Sequence, residues 1–199
     1  MNIFFFIRST SVNITHYTIK DIPGSSGRLD VISRCVLAAL LNENEFEKDV
    51  QIWVFLEKYG TFIFNPKKFD YDTFPKSEIM FTDYFVDIIK NREGRLDNSY
   101  NPLKKVEYLN KDILTTLKDC MTKNYSIYIL NEKGRDFFKC LKAIILDKNI
   151  IFVIGSQTGE IIKSKELVKL NLPHLSLGTQ SYLASSVIRL IKINLGLYV

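Results

Sequence analysis

Three short apolar runs in the second half of the chain, residues 126–130, 150–154 and 173–177, each end in a polar loop that carries a glycine. The loops are Asn131-Glu132-Lys133-Gly134, Gly155-Ser156-Gln157-Thr158-Gly159 and Gly178-Thr179-Gln180. Runs this short and this continuously apolar suit strands buried on both faces, the condition of a parallel sheet covered by helices. Parallel strands point the same way, so the three loops gather at one edge. Ligands of open α/β sheets bind there, outside the carboxyl ends of the strands. The convergence predicts an α/β fold with a mostly parallel sheet and a ligand site at that edge.

The first half supplies the remaining parts. Residues 3–7 and 15–19 read as strands. Residues 50–56 read as another, with 61–64 pairing to it through the Lys58-Tyr59-Gly60 turn. Leu29, Ile32, Val36 and Leu40 recur at helical spacing and predict a helix from Gly27 to about Leu41. Residues 77–90 read as a helix with Ile79, Tyr84, Val86 and Ile89 partly on one face, and residues 111–121 as another. Residues 91–103, polar and broken by Gly94 and Pro102, read as a long surface loop, and a last helix runs toward Gly196. With 46% apolar residues, 199 residues suffice for one domain spanning 1–199.

Composition narrows the function classes. A net charge of +5 leans toward an anionic partner, nucleic acid among them. No apolar run approaches a membrane span, and Phe4-Phe5-Phe6-Ile7 is too short for a signal sequence, so it reads as the first buried strand. Cys35, Cys120 and Cys140 show no C-x-x-C spacing. That fits a reducing cytoplasm and speaks against a disulfide framework or a zinc site. His16 and His174 have no Cys or carboxylate cluster nearby, so no metal is expected.

The segment Pro23-Gly24-Ser25-Ser26-Gly27-Arg28-Leu29-Asp30 concentrates the chemistry. It sets two glycines, an arginine and an aspartate where a loop turns into a helix. Glycine admits close approach of a ligand, and a helix start offers N–H groups to an anion. Arg28 presents a planar fork for phosphate, and Asp30 a proton acceptor. Taken alone, the segment reads first as a turn with a helix cap, with Asp30 complementing the helix dipole and pairing with Arg34. It is not a P-loop, because no Gly-Lys-Ser/Thr follows, and residues 155–159 lack G-x-G-x-x-G spacing. Cys35 reads as a small core residue.

Read together, the blocks resemble the archaeal tRNA (pseudouridine-54, N1)-methyltransferases, a branch of the SPOUT superfamily. The resemblance lies in Lys20-Asp21-Ile22-Pro23-Gly24-Ser25-Ser26-Gly27-Arg28-Leu29-Asp30 continuing to Arg34-Cys35-Val36, in Phe152-Val153-Ile154-Gly155, and in Leu175-Ser176-Leu177-Gly178 before a long C-terminal helix. It implies a SPOUT-type fold with a C-terminal deep trefoil knot, a homodimer, and S-adenosyl-L-methionine bound in the knot. The implied cofactor residues are Leu130, Gly155, Leu175, Ser176, Leu177, Gly178, Thr179, Gln180 and Val187. Three departures from the family pattern stand out. Val187 occupies a position where many members have Cys, Gly178-Thr179-Gln180 replaces Ser/Pro/Leu-like residues, and Ser26 replaces Cys or Ala.

The resemblance also implies a chemistry. The target is the N1–H of a pseudouridine in the tRNA T-loop, a weak acid that must lose its proton to become a nucleophile. Asp30 accepts that proton or orients the N1–H, and Arg28 anchors a phosphate or stabilises charge developing on the base. Gly24, Ser25, Ser26, Gly27 and Arg34 are the expected RNA contacts, Arg34 alternatively holding Asp30. A related enzyme acting on ribosomal RNA, a non-catalytic cofactor-binding RNA module, and a plain nucleotide-binding domain are the alternatives.

Overall fold

The computed structural model of the chain describes residues 1–92, 100–155 and 165–196. Seven strands form one sheet: β1 (Asn2–Ser9), β2 (Val50–Leu56), β3 (Gly60–Phe64), β4 (Glu107–Leu109), β5 (Ser126–Asp136), β6 (Asn149–Ile154) and β7 (His174–Ser176). Their order is β4-β3-β2-β1-β6-β5-β7. The β1–β2, β1–β6, β5–β6 and β5–β7 pairs are parallel, and only β2–β3 and β3–β4 are antiparallel. The mostly parallel sheet expected from the strand–loop rhythm is present.

Alternation along β1 explains why this strand is central. Ile3, Phe5 and Ile7 enter one core layer, while Phe6 enters the other. The first layer lies under α2 (Leu29–Leu40), α3 (Glu78–Lys90), α5 (Phe137–Ile144) and α7 (Ala184–Asn194). The second lies under α4 (Ile113–Thr122) and α6 (Lys165–Lys169). A one-turn helix α1 (Ile22–Ser25) precedes α2. Side-chain caps mark several starts: Ser77 accepts from Met80 N–H, Asp112 from Thr115 N–H and Asp136 from Phe138 N–H. No described helix is long and apolar enough to cross a membrane.

Several expectations change. Residues 15–19 form no strand. Asn13 accepts from the Thr15 amide and hydroxyl, and Thr18 caps a 3-10 turn at Ile19–Asp21, so local side-chain bonds displace ladder pairing. The helix expected from Gly27 begins at Leu29. Ile79 lies exposed on α3, whose buried face is built from Phe81, Phe85, Val86 and Ile88. The expected surface loop 91–103 ends inside the protein. Asn101 and Leu103 are buried there, and the Asn101 amide donates to the Tyr84 carbonyl at 2.9 Å. Gly94 lies outside the described residues. Residues 131–134 belong to β5 rather than to a loop. β7 pairs with Ile129 and Leu130, then with Arg135 and Asp136 across a bulge. Gly134 makes that excursion possible, because a Cβ there would lie 2.6 Å from the Leu175 backbone.

Candidate active site

A cleft of about 940 Å3 opens at the carboxyl edge of the central strands. Pockets of about 300–1,000 Å3 hold small ligands and cofactors. One wall is mostly apolar. It comprises Leu130 within β5, Ile154 and Gly155 at the end of β6, Leu175 and Leu177 around β7, and Leu183, Ala184 and Val187 at the start of α7. The facing wall comes from α2 and carries Arg28 and Arg34 beside Val31, Ile32 and Cys35. Burial pushes the Cys35 thiol up to about 12, so it stays a neutral core group at the cleft floor.

The cleft brings together Leu130, Gly155, Leu175, Leu177, Gly178, Gln180 and Val187, seven of the nine residues expected around the cofactor. Ser176 and Thr179 do not line it. The Ser176 hydroxyl sits between the carbonyls of Glu132 at 3.1 Å and Gly178 at 2.9 Å, so it shapes the loop rather than facing the cleft. Ser156, Gln157, Thr158 and Gly159 lie outside the described residues. Tyr182 and Leu183, half-exposed at the mouth, escaped the sequence reading because isolated apolar residues in a loop carry no periodicity. No group of three potential metal ligands exists among the described residues.

The glycine-rich segment is not an open anion cradle. Asp21 accepts from Gly24 N–H at 3.1 Å, and the Ser25 hydroxyl donates within the same turn, so α1 satisfies itself. Ser26, expected to touch RNA, is fully buried. Its hydroxyl donates to the Ile22 carbonyl and accepts from Leu29 N–H at 3.0 Å, capping α2 from inside. Gly24, Ser25 and Gly27 do not line the cleft either. Gly27 and Arg28 both adopt the left-handed conformation, with φ of +60° and +70°. Gly27 has no room for a side chain, since a Cβ would lie 2.0 Å from the Ser11 carbonyl oxygen. Arg28 tolerates its backbone at a cost of roughly 1–3 kcal/mol, a strain that occurs at functional positions.

That strained backbone is accompanied by a specific ion-pair arrangement. Arg28 donates from Nε and Nη2 to the two oxygens of Asp30 at 3.0 and 3.1 Å. The Asp30 side chain is only 4% exposed, whereas Arg28 is 49% exposed and lines the cleft. Arg34 Nη2 lies 3.6 Å from Asp30 Oδ2, the oxygen that Arg28 Nη2 binds, and Arg34 donates from Nε and Nη2 to Glu78 at 2.8 and 3.2 Å. Hydrogen bonding to Asp30 raises the Arg28 guanidinium further, and hydrogen bonding to Glu78 does the same for Arg34. Asp30 was expected as a proton acceptor, but both its oxygens are engaged and it does not line the cleft. Arg34 does pair with Asp30 one helical turn on, as its spacing suggested. Glu78 is 44 residues from Arg34, and nothing local in the sequence joins the two.

The cleft and the fold can be set beside known proteins. Proteins named tRNA (pseudouridine(54)-N(1))-methyltransferase are similar over most of their length. The one from Thermococcus gammatolerans is 28% identical over 194 residues, covering 89% of this chain and 88% of its own. The one from Thermococcus kodakarensis is 26% identical over 201 residues, covering 97% and 98%. The crystal structure of Archaeoglobus fulgidus Nep1 bound to S-adenosylhomocysteine superimposes with a TM-score of 0.64 at 16% identity, covering 98% of this chain and 97% of that one, and so shares the fold. A family model described as "Putative SAM-dependent RNA methyltransferase" matches residues 1–196, nearly the whole sequence, and the chain belongs to that family of S-adenosylmethionine-dependent RNA methyltransferases.

Proposed function

We propose that this protein methylates N1 of pseudouridine 54 in the T-loop of tRNA. The observation that carries the reading is the division of one cleft into an apolar wall of strand ends and a facing wall that presents Arg28 on a buried Asp30. Relatives named for this reaction over nearly their whole length support it.

The residues present fit S-adenosylmethionine. The apolar side chains of Leu130, Leu175, Leu177 and Val187 would enclose it, and Gly155 and Gly178 would let the backbone approach closely. When bound, it supplies a methyl group made electrophilic by a sulfonium. The pseudouridine must leave its stack to reach the cleft, and Arg28 would meet it there. As the N1 proton leaves to water in the cleft, Arg28 stabilises the negative charge left on the ring. Asp30 acts by fixing Arg28, and the two walls of the cleft supply the alignment that accounts for most of the rate.

The same reading includes a deep trefoil knot in the C-terminal part of the chain. It also includes a single methyltransferase domain over 1–199, a homodimer, a cytoplasmic setting, and tRNA contacts near Gly24, Ser25 and Gly27 at the rim of the arginine wall.

The test is methyl transfer from labelled S-adenosylmethionine to two T-loop stem-loops, one with pseudouridine at position 54 and one with uridine. Transfer to the pseudouridine RNA alone is expected, since uridine has no free N1–H. Transfer to both refutes N1 chemistry. Transfer to neither, with transfer to ribosomal RNA fragments, moves the substrate to the ribosome.

A further inference from the structure

Four charged side chains of alternating sign run in sequence from α3 to the cleft: Glu78, Arg34, Asp30 and Arg28. Arg28 and Arg34 both line the cleft, and Arg28 is the more exposed of the two, 49% against 36%. Arg28 uses Nε and one Nη for Asp30, which leaves Nη1 unengaged by Asp30. The orientation of Arg28 therefore depends on how completely it owns the Asp30 carboxylate. Its competitor is Arg34, whose Nη2 stands 3.6 Å from Asp30 Oδ2. Glu78 decides that competition, because it takes Arg34 in a bidentate grip with the shorter contacts.

We infer that Glu78 is a positioning residue for Arg28, acting through Arg34 and Asp30. With Glu78 ionised, Arg34 is held off and Asp30 serves Arg28 with both oxygens. With the charge at residue 78 removed, Asp30 becomes the nearest carboxylate left to Arg34. The guanidinium of Arg34 then closes on Oδ2 and weakens one arm of the Arg28 fork. Glu78 itself touches no part of the cleft, and its side chain is 35% exposed, so its removal opens no cavity. Its place in the first turn of α3, after the Ser77 cap, keeps the carboxylate near the helix N-terminus. For its kinetic readout the inference rests on the methyl-transfer reading above.

Glu78→Gln, Glu78→Asp and Arg28→Ala would be compared with the double variant Glu78→Gln/Arg28→Ala. The readouts are kcat and KM on the pseudouridine stem-loop, S-adenosylhomocysteine affinity, and the proton-exchange rate of the Arg28 Nε–H by nitrogen-15 NMR. Glu78→Gln is expected to lower kcat by roughly ten- to a hundredfold, the scale of a small misplacement of a catalytic group. Cofactor affinity should be unchanged, and Arg28 Nε–H exchange should be faster. Glu78→Asp, which keeps the charge, should restore most of both. In the Arg28→Ala background Glu78→Gln should cost nothing more, since the group it positions is gone. Additive losses in the double variant, or an unaltered Arg28 Nε–H, overturn the inference. If Glu78→Gln does not fold, Arg34→Lys replaces it, because lysine cannot hold Glu78 bidentately, and the same Arg28 signal is read. A wild-type protein that methylates neither stem-loop refutes the proposed function, while the exchange measurement still decides the role of Glu78.

Discussion

Replacing Asp30 with Asn separates a positioning carboxylate from a catalytic base. The change is nearly isosteric at a side chain that is 4% exposed, so it alters charge and bonding rather than packing. Asp30 now accepts two charge-assisted hydrogen bonds from Arg28, at 3.0 and 3.1 Å. Asn retains one acceptor oxygen and turns an N–H2 group toward the guanidinium, so one of the two bonds is lost. A hydrogen bond to a charged group contributes about 1.5–3 kcal/mol. At about 1.4 kcal/mol per decade, kcat/KM on the pseudouridine stem-loop should fall by roughly ten- to a hundredfold. The assay is kcat/KM from pH 5 to 9 for both proteins, with cofactor affinity and the unfolding midpoint as controls. The shape of the pH profile should survive if, as proposed, Asp30 positions Arg28 and does not take the proton. A larger loss, near the roughly 10^4-fold upper end for a missing general base, together with disappearance of the low-pH limb, would refute the positioning role. Full activity would remove Asp30 from the mechanism altogether.

Other outcomes follow from the same geometry. Arg28→Ala should weaken RNA binding and flatten the plot of log affinity against log salt by about 0.7–0.9 if it meets a phosphate; an unchanged slope assigns it to the base alone. Gly27→Ala forces a Cβ to 2.0 Å from the Ser11 carbonyl at a φ of +60° and should destabilise the fold by at least about 1–3 kcal/mol in urea titrations; an unshifted midpoint contradicts the reading of that turn. Lys192 is fully buried, donates to the Ala38 and Leu41 carbonyls at 3.0 and 2.9 Å, and lies 3.6 Å from Glu47, so Lys192→Met should cost about 3–5 kcal/mol; a variant as stable as wild type would refute that pairing. Burial lowers the Lys192 ammonium from 10.5 to about 8. Between those values the unfolded chain holds a proton that the folded chain has released, so this group makes stability rise with pH from about 8 to 10.5. Unfolding midpoints across that range should lose this rise in Lys192→Met, and an identical slope in both proteins would show that another group titrates.

The parts legible in the sequence were those whose pattern is local and long. β1, β2 and β6 announce themselves as apolar runs, and α2 as a helical repeat of Leu29, Ile32, Val36 and Leu40. The cleft followed from three strand ends facing one edge. β4 has three residues, too few to alternate, and exists only because β3 offers an edge to pair with. α5 carries a readable cap in Asp136, but the run of strand residues before it hid the start. The role of Ser26 was misread for a different reason. A serine in a glycine-rich turn has a free hydroxyl until the fold shows that Ile22 and Leu29 take both its bonds. Glu78 and Lys192 have partners far along the chain, and such pairs are set by helix packing, which one sequence does not encode locally.

The pin at Lys192 has a mechanical consequence. α2 and α7 both begin at the cleft and are joined near their far ends, where Lys192 of α7 binds the last carbonyls of α2. One helix starts with the proposed acceptor side of the reaction and the other with the donor side, so the pair acts as a caliper whose jaws set the gap the methyl must cross. The arms are about 12–15 Å long, at 1.5 Å per residue from jaw to pivot. On arms of that length, a rotation of about 4° at the pivot opens the jaws by about 1 Å, enough to misalign an in-line transfer severely. A buried ammonium at the remote end of two helices thus helps, with their core packing, to set a tolerance inside the cleft.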